Sequence, residues 1–182
     1  VVKTGAIFDG STPVVLTLAY YACPMLCSMV LNGVGAMDRK LAWSPGKEYR
    51  HVTVSIDPSD DTAVASAKRA NYVKELGRPV DDAAYTFYTA TAAESARLAA
   101  AVGFRYRWDE PTKQYLHGAG AFVLTPDGHV SRTFWGLEFP ERDMRLALAE
   151  ASGGKVGGAV EAVMLYCYHY DPNSKGYVLA AT

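Results

Sequence analysis

The sequence predicts an α/β fold, a central mixed β-sheet flanked by helices. Three observations carry this. A continuous apolar run from Val14 to Tyr20 reads as a strand covered on both faces. Runs rich in β-branched and aromatic residues, Tyr49 to Ile56 and Tyr85 to Ala90, alternate with segments of helical period, as in parallel β-α-β units. Two further runs, Gly120 to Leu124 and Val130 to Trp135, flank Thr125-Pro126-Asp127-Gly128 and read as a hairpin, which adds antiparallel pairing.

The remaining elements follow in order. Val1 to Pro13 is poor in structure signals, with a turn marked by Asp9-Gly10-Ser11 and Pro13. Met29, Val30, Val34 and Met37 recur at helical spacing, and Ser44-Pro45-Gly46 stops that helix just after Leu41. The second strand runs into Asp57-Pro58-Ser59-Asp60-Asp61-Thr62, where Asp60 or Asp61 caps a helix reaching about Leu76 and stopped by Gly77. Thr91 caps a helix from Ala92 to Val102, with Glu94 reaching back as a capping box. Phe104 to Trp108 reads as a short edge strand and Asp109 to His117 as a polar loop. Pro140 opens a last helix to about Ala151. Gly153-Gly154-Lys155-Val156-Gly157-Gly158 has the composition of a linker. Beyond it, alternation through Val163 to Tyr170 and a turn before Tyr177 read as a hairpin-like tail. The expected division is a domain over 1–152 and a Gly-rich linker with a C-terminal appendage over 153–182.

Composition excludes several function classes. At 182 residues the chain can bury a core without staples. A net charge of −1 offers no electrostatic footprint for nucleic acid or an anionic membrane surface. The 12 tyrosines are scattered and not interleaved with a basic stripe, which argues against a base-stacking platform. No apolar run approaches the roughly 20 residues that span a bilayer. With 3 cysteines, at least one thiol lacks an intramolecular disulfide partner, and a disulfide scaffold is ruled out.

The chemistry concentrates in Tyr20-Tyr21-Ala22-Cys23-Pro24-Met25-Leu26-Cys27, where a strand gives way to a helix. Four residues apart at a helix start, Cys23 and Cys27 lie on one face, about one turn apart. The partial positive charge of a helix N-terminus favours thiolate over thiol. Two adjacent thiolates can close into a disulfide or hold a soft metal ion. Two small buried apolar residues would give the same spacing by chance.

Three stretches make the chain resemble the Sco/SenC family, thioredoxin-like proteins associated with copper handling and cytochrome oxidase assembly. They are Pro13 to Cys27, then Val54-Ser55-Ile56-Asp57-Pro58 with Asp61-Thr62, and finally His117 before Leu124-Thr125-Pro126-Asp127-Gly128 and Trp135-Gly136. Order and spacing fit over Val14 to Ala151. The resemblance implies a thioredoxin-like fold and a copper site of Cys23, Cys27 and His117. It further implies delivery of Cu(I) or Cu(II) to a partner such as the copper-bearing subunit of cytochrome c oxidase or another copper or thiol protein. The same resemblance places the protein on the periplasmic or another extracytoplasmic face of a respiratory membrane, with an N-terminal anchor. Thiolates suit Cu(I), imidazole suits either state, and three ligands with an open side permit hand-over. Where the family pattern has an acidic residue before this histidine and a serine after it, the chain has Leu116 and Gly118. The missing carboxylate removes one partner that would orient the imidazole.

A rival reading makes the protein an enzyme, a thiol–disulfide oxidoreductase in which Cys23 attacks and Cys27 resolves. Peroxide reduction through a sulfenic acid is a third reading, weakened because no arginine lies near the motif in sequence. Cys167 and His169, two apart on a strand, point to one side. As a fourth ligand either would favour zinc in place of copper. Met25 and Met29 sit at helical spacing and read as core. His51, His129 and Asp57 read as structural or solvated, Asp61 as a helix cap, and Trp135 as a packing residue.

Overall fold

The computed structural model describes residues 4–22, 26–153, 168–171 and 176–179. After a short 3-10 turn at Thr4–Ile7, the described elements are β1 (Val14–Ala19), α1 (Leu26–Lys40), β2 (Arg50–Ser55), α2 (Thr62–Leu76), β3 (Tyr85–Tyr88) and α3 (Ala92–Ala101). They continue as β4 (Tyr106–Asp109), β5 (Gln114–His117), β6 (Gly120–Leu124), β7 (Val130–Trp135), α4 (Glu141–Ala151), β8 (Tyr168–Asp171) and β9 (Gly176–Leu179). A five-stranded sheet has the order β3-β2-β1-β6-β7. Strands β1, β2 and β3 run parallel, while β6 is antiparallel to β1 and to β7. The expected mixed sheet is therefore present, with β1 at its centre and buried along its whole length.

Two apolar clusters divide the core. Val15, Ala121, Val123 and Phe134 pack with Val30, Val34 and Met37 of α1 and with Met144, Leu146, Ala147 and Leu148 of α4. Leu16, Leu18, Val52, Val54 and Phe122 pack with Tyr72 of α2, Ala99 of α3 and Phe104. Met29 departs from its expected place: it is 50% exposed. Consecutive helical residues are rotated by about 100°, so a residue beside Val30 falls off the stripe that Val30, Val34 and Met37 share.

Local signals act where the sequence locates them. Asp61 caps α2, accepting the Val64 amide at 2.8 Å. Thr91 and Glu94 form the capping box of α3. Gly77, at φ 70°, ends α2 in the left-handed conformation that suits a residue without Cβ.

The segment after α3 differs from expectation. Tyr106–Asp109 does not extend the main sheet; it pairs with Gln114–His117 in a separate two-stranded ribbon. The polar stretch read as loop is thus half turn and half strand. Its turn is stabilised by the Asp109 carboxylate, which accepts the Thr112 hydroxyl at 2.6 Å, while Lys113 takes a positive φ of 52°. Trp108 packs edge-on against Tyr115 across the ribbon at 5.0 Å, the cross-strand aromatic pairing that stabilises such hairpins.

His51 is structural. It is buried, with Nδ1 2.7 Å from Asp38 Oδ2, and Asp38 also accepts the Tyr49 hydroxyl at 2.6 Å. Arg78 donates to the carbonyls of Asp38, Leu41 and Trp43, closing the end of α1. In the tail, Tyr177 is buried in the α1–α4 cluster and donates to Glu150 Oε2 at 2.6 Å. Glu150 in turn pairs with Arg132, and the Tyr177 carbonyl accepts from Arg142. Among the described residues, no helix is long and apolar enough to cross a membrane.

Helix α1 passes so close to the segment after β7 that a Cβ on Gly33 would sit 2.1 Å from the Leu137 carbonyl oxygen. Gly33→Ala is therefore expected to destabilise the fold by about 1–3 kcal/mol, as overpacking does, although alanine is the better helix former. Urea denaturation of the two proteins measures this, and a neutral or stabilising result contradicts the packing.

Candidate metal and thiol site

The site begins where β1 ends. Tyr20 and Tyr21 follow the strand, with both side chains buried. The Tyr21 amide donates to Asp60 Oδ2 at 2.7 Å, and its phenol donates to the Tyr88 carbonyl at 2.7 Å. Burial, then the negative charge of Asp60, raise the Tyr21 pKa far above the usual tyrosine range, so the phenol remains a neutral donor. Helix α1 starts at Leu26, which puts Cys27 in its first turn. Cys23 lies outside the described residues, as do Pro24, Met25 and the Cys27 side chain.

His117 approaches from the other direction, as the last residue of β5. Its half-buried ring meets Tyr20 edge-to-face at 6.2 Å and Phe104 at 5.8 Å. Tyr115, two residues earlier on the same face of the ribbon, also packs edge-on against Tyr20, at 5.5 Å. Tyr115 and His117 of β5 thus seat the ribbon on the residue that follows β1. The ring of His117 rests on the residue three positions before Cys23.

The imidazole is oriented. Its Nδ1 lies 2.7 Å from the Gly118 carbonyl oxygen. A carbonyl only accepts, so Nδ1 carries the proton and, in the neutral ring, Nε2 carries the lone pair. A histidine that binds a metal commonly donates its second nitrogen to a carbonyl or carboxylate in this way. The Gly118 carbonyl therefore orients the ring. Leu116 is 43% exposed and pairs with Arg107 on the opposite face of the ribbon. The indole of Trp135 lies beside Gly118, where a Cβ would approach it to 3.1 Å. Trp135 packs edge-on against Phe122 at 5.8 Å, as a packing residue, with 41% of its surface exposed.

Among the described residues, no three His, Cys, Asp or Glu side chains gather closely enough to hold a metal. Of the three residues expected to bind copper, the described side chains include that of His117. Cys167 lies outside the described residues, and His169 is placed on β8 opposite Val178 by its backbone alone. His129 is exposed in the β6–β7 turn, 3.1 Å from Asp127. Asp57 accepts the Ser59 amide at 2.9 Å at the strand end.

Sequence reasoning took Asp60 only as an alternative cap for α2, which Asp61 provides, and gave Tyr20 and Tyr21 no role of their own. One signal was available: a helix needs one cap, and two aspartates stand before α2. A cavity of about 590 Å³ opens beside Asp60, with Val54, Tyr88, Thr91, Glu94 and Leu98 among its walls.

These features define a thioredoxin-like α/β domain whose first strand leads into the C-x-x-x-C stretch of the sequence and whose inserted ribbon seats a histidine on Tyr20. The chain belongs to the SCO1/SenC family, which it matches over residues 3–151. Solved structures share the fold. A proposed electron transfer protein from Aquifex aeolicus VF5 is 20% identical, with 83% of each chain covered and a TM-score of 0.69. BsSco, described as a member of the Sco family of cytochrome c oxidase assembly proteins with a disulfide switch, is 18% identical over 78% of this chain and 80% of that one, with a TM-score of 0.56. Copper-bound ScoI from Bradyrhizobium japonicum is 22% identical over 78% and 84% of the two chains, with a TM-score of 0.54. No curated protein matches the chain.

Tyr20 supports the His117 ring, so Tyr20→Ala is expected to cost about 3 kcal/mol, as loss of a buried aromatic does. The His117 ring protons should also lose their ring-current shift in the NMR spectrum. Unchanged His117 resonances would show that the two rings are not in contact in solution.

Proposed function

We propose that the protein is a copper metallochaperone, binding copper through Cys23, Cys27 and His117 and delivering it during assembly of a cytochrome oxidase. The observation that carries this reading is the seat of His117 on Tyr20, three residues from Cys23, in a member of the SCO1/SenC family. The tautomer set by the Gly118 carbonyl supports it, since Nε2 is then the ligating nitrogen. So does the presence of copper in a structure of the same fold. Copper here is cargo. Two thiolates and one imidazole hold it with a side left open for a competing ligand of the recipient. The proposed recipient is the copper-bearing subunit of the oxidase or another copper or thiol protein. The proposed setting is the extracytoplasmic face of a respiratory membrane, with an N-terminal anchor. Residues 1–152 would carry the function and 153–182 would form the appendage.

The helix-start position of Cys27 supports a second reading, a thiol–disulfide oxidoreductase. The Cys23 thiolate attacks a partner disulfide, forming a mixed disulfide and releasing one partner thiolate. Cys27 then attacks the Cys23 sulfur, leaving the Cys23–Cys27 disulfide and a fully reduced partner, two electrons having passed to it.

An anaerobic Cu(I) titration of reduced protein against a competing chelator separates the two. One tight equivalent is expected for wild type, weakened at least tenfold in His117→Ala and lost in the Cys23→Ser/Cys27→Ser double variant. If wild type binds no copper tightly while His117→Ala keeps full disulfide reductase activity, the chaperone reading falls and the oxidoreductase stands.

A further inference from the structure

Of the two aspartates before α2, only Asp61 caps the helix. Asp60 turns the other way. It is 8% exposed, and its Oδ2 accepts both the Tyr21 amide at 2.7 Å and the Ser55 hydroxyl at 2.5 Å. Its own amide donates to the Asp57 carbonyl at 3.2 Å, closing the turn that follows β2. One buried carboxylate therefore ties the exit of β2 to the exit of β1.

That tie falls at a sensitive place. Tyr21 is two residues before Cys23, and its neighbour Tyr20 carries the His117 ring. Pulling the Tyr21 amide toward Asp60 sets the direction in which the chain leaves the sheet. It thereby sets where the thiol turn starts relative to the imidazole. A carboxylate suits this role. When ionised it only accepts, and its bonds to N–H and O–H donors are shorter and stronger than neutral ones. Ser55, the last residue of β2, is buried and spends its hydroxyl on Asp60, so the carboxylate is itself held.

We propose that Asp60 is a positioning residue of the thiol–imidazole site, holding the Tyr21 backbone where the chain leaves β1 for the C-x-x-x-C stretch, next to the Tyr20 ring that seats His117. This rests on the reading of Cys23, Cys27 and His117 as one site. Asp60 is not a ligand; it acts through the Tyr21 amide. Its loss should therefore reach copper affinity and the thiol–disulfide equilibrium together, because both depend on where Cys23 sits.

The test compares wild type with Asp60→Asn, Asp60→Ala and Ser55→Ala. Tyr49→Phe serves as a control that removes a buried hydrogen bond from the distant Asp38 network. Three quantities are read on each full-length protein: the Cu(I) dissociation constant by chelator competition, the midpoint potential of the Cys23–Cys27 pair, and the thermal midpoint. Asp60→Ala is expected to weaken Cu(I) binding by about 10–100-fold, the usual effect of removing a group that orients a ligand set. Asp60→Asn, which keeps one acceptor oxygen, should fall between it and wild type, and Ser55→Ala should weaken binding least. Tyr49→Phe should lower the thermal midpoint and leave affinity and potential unchanged. If Asp60→Ala does not fold, Asp60→Asn and Ser55→Ala carry the comparison. Wild-type affinity and potential in the Asp60 variants, with lowered thermal midpoints alone, would overturn the proposal and make Asp60 a purely structural group. If wild type itself binds no Cu(I), the copper reading fails, and Asp60 is then judged on the potential. A tenfold shift in the thiol–disulfide equilibrium, about 30 mV, supports the positioning role, and no shift overturns it.

Discussion

The structure depends on the burial of one strand. Every residue of β1 is buried, so its backbone groups must find partners within the protein. They do so on both sides, with β2 in parallel register and β6 antiparallel. That double pairing fixes the strand in direction and in height. It makes the end of β1 a firm platform for the stretch of sequence that carries the two thiols. The helices follow from the same constraint: both faces of the strand carry apolar side chains, so α1 and α4 cover one side while α3 and Phe104 contribute to the other.

The polar interior is arranged to keep that platform rigid. The Asp38–His51–Tyr49 cluster sits behind the sheet, far along α1 from Cys27, and binds the helix to β2. At the other end of β2, Ser55 and Asp60 take hold of the exit of β1. A buried polar group is costly unless it is satisfied, and each of these carboxylates receives two partners. Strand β2 is thus fastened at both ends by side chains, in addition to its ladder.

Much of this was legible in the sequence. Continuous apolar runs located the buried strands, because a strand covered on both faces has no polar alternation to obscure it. Asp61, Thr91, Glu94 and Gly77 marked helix ends through chemistry that acts within a turn of the chain. The Thr125–Gly128 turn placed the β6–β7 hairpin. The ribbon after α3 was not legible as such. Its aromatic residues face a partner strand across a turn rich in charge, and polarity suggested loop where cross-strand stacking made a strand. Met29 misleads for a related reason, since a methionine one step off the apolar stripe still contributes to its apparent period. The thiols and His117 were recognisable as a set by order along the chain. The contacts that seat His117 and hold the exit of β1 were not, because Tyr20, Tyr21 and Asp60 meet their partners only after β1 and β2 pair and the ribbon folds back.

The register of β1 also has a consequence for the order of events during synthesis. Val14 pairs with Leu124, across most of the domain in sequence, whereas its pairing with Arg50 is available early. Long-range antiparallel closure is entropically late. The histidine ribbon immediately precedes β6 and arrives with it. Until that segment has emerged, the growing chain carries the Cys23 and Cys27 thiols without the His117 imidazole. If the three residues form the proposed copper site, a domain emerging from its N-terminus presents the dithiol first and the third donor only near completion, so an oxidant or thiol catalyst in the compartment meets the pair before the full ligand set exists.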